Sequence, residues 1–112
     1  MELISSYTRQ QAIDDGVLVD LSENSVIKQH WKYPLACTDG VWATIQKACE
    51  SKFHDLDGIL HDISMLAKYG KIDGSISEFK VEIGEETCGL WLHCGPGDDA
   101  ESVLTLMYPS DY

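Results

Sequence analysis

The sequence predicts an α+β fold, with N-terminal helices packed on one face of a C-terminal antiparallel meander of three to four strands. Two observations along the chain predict it. Apolar residues recur at the helical period from Val41 to Ala67, and from Phe79 onward they alternate with polar ones. Short glycine-containing segments separate the alternating runs, which is how neighbouring antiparallel strands are joined.

The elements follow in order. Thr8 and Gln11 have the spacing of a capping box, so a first helix covers about residues 8–15, and Gly16 supplies the left-handed residue that ends it. Val17-Leu18-Val19 is a short edge strand or an extended segment. A second helix starts near Asp20 or Ser22, with Glu23 at capping-box spacing from Asp20, and runs to about His30. Pro34 disfavours a helical Tyr33, so residues 31–37 are extended. Thr38 caps a third helix over about residues 39–51, whose apolar face carries Val41, Trp42, Ile45, Ala48 and Cys49. A fourth helix, about residues 54–69, has the stripe Leu56, Ile59, Leu60, Ile63, Leu66 and Ala67, and Gly70 ends it. Asp73-Gly74 suits a tight turn. Phe79, Val81 and Ile83 then alternate with Lys80 and Glu82 as a half-buried strand. Gly84-Glu85-Glu86-Thr87 turns the chain into a strand over about residues 88–94. Gly95-Pro96-Gly97-Asp98-Asp99 turns it again into a last strand over about residues 102–108.

A chain of 112 residues accommodates one core, so residues 1–112 are read as a single domain. The 19 acidic and 8 basic side chains give a formal net charge of −11. That balance argues against direct nucleic-acid binding, which draws on Lys and Arg, and against anionic membrane surfaces. It favours a basic partner, or serves solubility alone. No apolar run approaches the roughly 20 residues that cross a bilayer. Residues 1–6 lack the basic start and apolar stretch of a signal peptide, and a cytoplasmic protein is expected. The four cysteines form no C-x-x-C pair and no zinc spacing, so reduced thiols are expected.

Candidate sites are few. His54-Asp55 and His61-Asp62 repeat a pair used as ligands in metal-dependent phosphohydrolases, and Asp57 lies one turn before His61. On the predicted helix, however, His54 and His61 point away from the apolar stripe and each pair splays apart, which favours a solvated face over a metal site. Cys94-Gly95-Pro96-Gly97-Asp98-Asp99 suits a type II turn, with Gly97 taking the positive angle. Its acids, Asp98 and Asp99 with Glu101, are also a candidate cation site or acidic contact patch. If Leu90, Leu92 and Cys94 face the helices, Trp91 and His93 face the other way, and an exposed Trp–His pair invites a partner. The last strand is apolar on both faces, so its second face is expected to be covered, by the first thirty residues or by another chain. Arg9, the chain's one arginine, either grips an anionic ligand or ties the first helix to a carboxylate of this chain. No nucleophile–base pattern is present, and no catalytic residue or cofactor is implied.

Three strings, Tyr7-Thr8-Arg9-Gln10-Gln11-Ala12 through Asp15-Gly16-Val17-Leu18-Val19-Asp20, then Tyr33-Pro34-Leu35-Ala36-Cys37-Thr38 with Val41-Trp42, then Cys94-Gly95-Pro96-Gly97-Asp98-Asp99, resemble a family of small uncharacterised proteins of plasmids, prophages and phages. The resemblance implies an accessory protein of mobile genetic elements and carries no activity, cofactor or site residue. The resulting expectation is a non-enzymatic accessory protein that binds a host protein through its acidic surface and outer sheet face. The alternatives are a small metal-dependent hydrolase using His54, His61 and Asp57, and a homodimeric structural module whose subunits meet through that outer face.

Overall fold

The structure, a computed structural model, describes residues 8–51 and 54–112. Tyr7 of the first string and residues 1–6 of the expected N-terminus lie outside these. The described residues form a mixed α+β fold of four helices and one six-stranded sheet. Helices α1 (Arg9–Asp14), α2 (Ser25–His30), α3 (Asp39–Cys49) and α4 (Leu56–Lys68) interleave with strands β1 (Leu18–Asp20) and β2 (Leu35–Thr38). Strands β3 (Lys71–Asp73), β4 (Ile76–Ile83), β5 (Glu86–Pro96) and β6 (Ser102–Met107) follow, and a 3-10 turn (Pro109–Asp111) ends the described chain.

The meander is present as β3 to β6, each strand antiparallel to the next. The sheet is nevertheless wider than expected, with order β1-β2-β6-β5-β4-β3. β2 joins β6 in parallel and β1 closes that edge antiparallel to β2. The parallel pairing is possible because the connection from β2 to β6, through α3, α4 and strands β3 to β5, supplies the long crossover it requires. β2 is buried on both sides, with Leu35 and Cys37 in the main core and Ala36 buried outside it. An uninterrupted apolar run of that kind is the pattern of an interior strand, and it shows no alternation to read.

Two hairpins turn on glycine. Gly74 and Gly84 have φ of +63° and +66°, each first in a two-residue loop, where a type II′ turn needs a residue without Cβ. The third turn differs from expectation. β5 continues through Pro96, which pairs with Ser102, so the chain reverses over residues 97–101. The positive angle there belongs to Ala100, with φ of 67°, and not to Gly97. Gly97 is instead held close to Glu101, since a Cβ on it would lie 2.7 Å from that carboxylate.

The helices are also arranged differently from expectation. α3 and α4 pack Val41, Ile45, Leu60 and Ile63 onto Val81, Ile83, Leu90 and Leu106. α2 adds Ile27 to the same core. α1 lies on the opposite face, so the N-terminal helices are divided between the two sides of the sheet. α2 begins only at Ser25, because the Asn24 carboxamide accepts from the Val26 and Ile27 amides. Asp20 belongs to β1 and its carboxylate accepts from the Ser22 amide, a local turn that delays the helix. Thr38 sits at the N-cap of α3 without capping it, and its hydroxyl donates to Asp111.

Candidate functional site

Strand alternation sorts β5 and β6 into two faces. Cys88, Leu90 and Leu92 meet the helices, as do Leu104 and Leu106. Trp91 and His93 therefore point to the outer face, as the sequence predicts. Ala12, Ala36, Val103 and Met107 are also buried, yet they stand apart from the main core. They form a second, thinner apolar layer on the outer face. One strip of that face lies beneath α1, and the C-terminal turn brings Tyr112 over another.

Arg9 fastens α1 to the sheet. Its Nη1 donates to Thr105 Oγ1 and its Nη2 to the Leu104 carbonyl, both at 2.8 Å. Burial lowers the guanidinium pKa, while Asp20, Asp98 and Glu101 act in the opposite direction. The start of α1 is closed from the other end of the chain. Asp98 accepts from the Arg9 amide at 2.8 Å and from the Gln10 amide at 3.1 Å. Thr8 and Gln11 form the expected capping box. All four amides from Thr8 to Gln11 thus have a partner, which is the full requirement of a helix start. The first and third sequence strings meet here, and Arg9 and Asp98, singled out separately, belong to one joint. Asp99 does not join it, and its amide donates to Glu101. A cavity of about 150 Å³ between Arg9, Asp20, Pro34 and Asp98 is smaller than the sites that hold drug-sized ligands.

Beyond Arg9 the outer face carries the aromatic group. His93 is the register partner of Thr105, so it stands next to the residue that holds the guanidinium. The His93 ring lies over Gly95, where a Cβ would come within 2.7 Å of it, and this accounts for the glycine of that string. Tyr112 covers both neighbours, with its ring centroid 5.6 Å from those of Trp91 and His93. Trp91 meets it edge-on, the favoured arrangement of two aromatic rings. The indole Nε1 donates to Glu78 on β4 at 3.2 Å. Gly89, two residues before Trp91 on the same face, has only open space beside it. The result is a shelf of an anchored indole, an imidazole and a mostly exposed Tyr112, bounded by Glu78 and Lys80. Tyr112 and Thr105 carry no local sequence signal, because their roles exist only once β5 and β6 pair.

The histidine–aspartate pairs are distributed differently. His54 lies outside α4 and lines a cavity of about 250 Å³ with Lys47, Ser51, Glu85 and Glu86. Asp55 caps α4 by accepting from Gly58. Asp57 accepts from Asn24, and His61 Nδ1 lies 3.0 Å from His30 Nε2. Lys68 lies 2.9 Å from His30 Nδ1. An ammonium can only donate, so it fixes the His30 proton on Nε2, aimed at His61. Burial, then Lys68 and His61, lower the His30 pKa. His61 is therefore engaged with α2, a contact that helical periodicity alone could not show. Among the described residues, no group of three or more His, Cys, Asp or Glu side chains is placed to hold a metal ion. No described helix is long and apolar enough to cross a membrane, and all four cysteines are free thiols.

No curated protein and no solved structure gives a significant match to the chain. The sequence profile of DUF6573, a family of unknown function, matches residues 1–112, and the chain belongs to that family.

Proposed function

We propose that this protein is a non-enzymatic interaction protein, folded as one domain, that docks another protein on the outer face of its sheet. The observation that carries the reading is Trp91, tethered to Glu78 and Tyr112 beside open space at Gly89. A rigid, half-buried indole with apolar and polar neighbours is the type of group that dominates binding energy at interfaces. Glu78 beside it, Asp20, Asp98 and Glu101 around Arg9, and the net charge of −11 suit a partner with a basic surface. The resemblance of the three strings to proteins of plasmids and phages makes a bacterial host protein the fitting target, met in the cytoplasm.

Affinity capture from bacterial lysate with wild-type protein and a Trp91→Glu variant tests this. A protein retained by the wild type and lost with the variant, at unchanged circular dichroism, supports the reading. Retention of the same proteins by both overturns it.

A further inference from the structure

We propose that two copies of this chain join through the open edge of β4, forming one sheet continuous across both protomers. β4 spans Ile76–Ile83, but β3 pairs only with residues 76–78. Among the described residues, Phe79, Lys80, Val81, Glu82 and Ile83 therefore have β5 on one side and no strand on the other. Among the described residues, none of the five makes a backbone hydrogen bond outside the β4–β5 ladder. An edge of this length without a partner strand is a template for another strand.

The sequence along this edge is complementary to itself. Antiparallel pairing about a two-fold axis at Val81 sets Lys80 opposite Glu82 of the partner subunit and Phe79 opposite Ile83 of the partner subunit. Registers shifted by one residue would pair an inward side chain with an outward one, and the pleat forbids them. The next permitted registers place either Lys80 opposite Lys80 of the partner subunit or Glu82 opposite Glu82 of the partner subunit. Opposite charges facing across strands stabilise a pair and like charges oppose it. Charge thus selects one register, and that register is symmetric, as a closed dimer requires.

The flank of α4 has room for the copy. A cavity of about 360 Å³ runs along this edge between Asp62 and Leu66 of α4 and Lys80, Val81 and Glu82 of β4. Leu66 and Met65 are 41% and 37% exposed, a substantial exposure for large apolar side chains on a packed helix. A two-fold axis normal to the sheet keeps the helical faces of both copies on the same side. The two α4 flanks then approach across the joint and cover Leu66. Both outer faces lie together on the other side, so Trp91 stays accessible.

Light scattering coupled to size exclusion tests the proposal, using full-length protein and exposed charge variants. Wild type should elute at twice the protomer mass. Lys80→Glu and Glu82→Lys should each be monomeric alone, because each sets like charges opposite one another. The double variant Lys80→Glu/Glu82→Lys should regain the dimer. A mixture of the two single variants should also form it, since glutamates of one copy then face lysines of the other. A monomeric wild type overturns the proposal, and so does a dimer unaffected by the single variants. Trp91→Glu should leave the mass unchanged, which separates this joint from the binding face proposed above.

Discussion

At the scale of residues, the side chains that organise the outer face act across long sequence distances. Asp98 closes the start of a helix 88 and 89 residues away. Its carboxylate serves two amides, and replacement of a capping acid by alanine costs about 0.5–2 kcal/mol. Asp98→Ala should lower the urea midpoint by a corresponding amount with little change in slope. An unchanged midpoint would show that α1 docks without this cap. The sequence supports the Thr8–Gln11 box, which is local, and the outward direction of Trp91 and His93, which follows from alternation. It gives no indication that Arg9 would reach Thr105, or that Tyr112 would return over Trp91. Neither relation exists before the strands pair.

At the scale of elements, each departure from expectation has a local cause. The delayed start of α2 reflects competition between Asp20 and Asn24 for the role of cap, decided by the pairing of Asp20 with Ala36. The turn after β5 reflects the length of the ladder, which carries Pro96 into the strand and moves the positive angle to Ala100. A left-handed alanine costs about 1–2 kcal/mol, and glycine in its place costs about 0.5–1 in chain entropy. Ala100→Gly should therefore raise stability by roughly 0.5–1 kcal/mol, read from chemical denaturation. Destabilisation instead would mean that the Ala100 methyl makes a contact outweighing its backbone strain. The sequence predicts extended chain at β2, but its parallel pairing is not legible there, because an interior strand has no alternation to reveal a partner.

At the scale of the whole molecule, one sheet separates two environments. The helical side is a closed core, and the buried thiol of Cys37 reports on it. Burial, with a smaller contribution from Asp39, pushes this thiol from 9.0 up to about 12. Above about pH 9 the unfolded chain releases the proton while the folded chain keeps it. This contribution to stability is therefore complete below pH 9 and declines as pH rises toward the folded value of about 12. The decline is about 1.4 kcal/mol per pH unit. Cys37→Ala should show a shallower loss of stability than wild type on that alkaline limb. Equal slopes would place the thiol in a wetter site than the fold implies.

The outer side is open at Gly89 beside Trp91, and the three tryptophans report separately on the molecule. Trp31 donates to Ser64 between α2 and α4, Trp42 lines a groove beside Leu56, and Trp91 lies on the outer face. Fluorine NMR of protein carrying 5-fluorotryptophan, titrated with the captured host protein, tests the central claim most directly. The account predicts that the Trp91 resonance, assigned by its loss in Trp91→Phe, shifts or broadens while those of Trp31 and Trp42 hold their positions. A static Trp91 signal beside a moving Trp31 or Trp42 would contradict it and place recognition on the helical side.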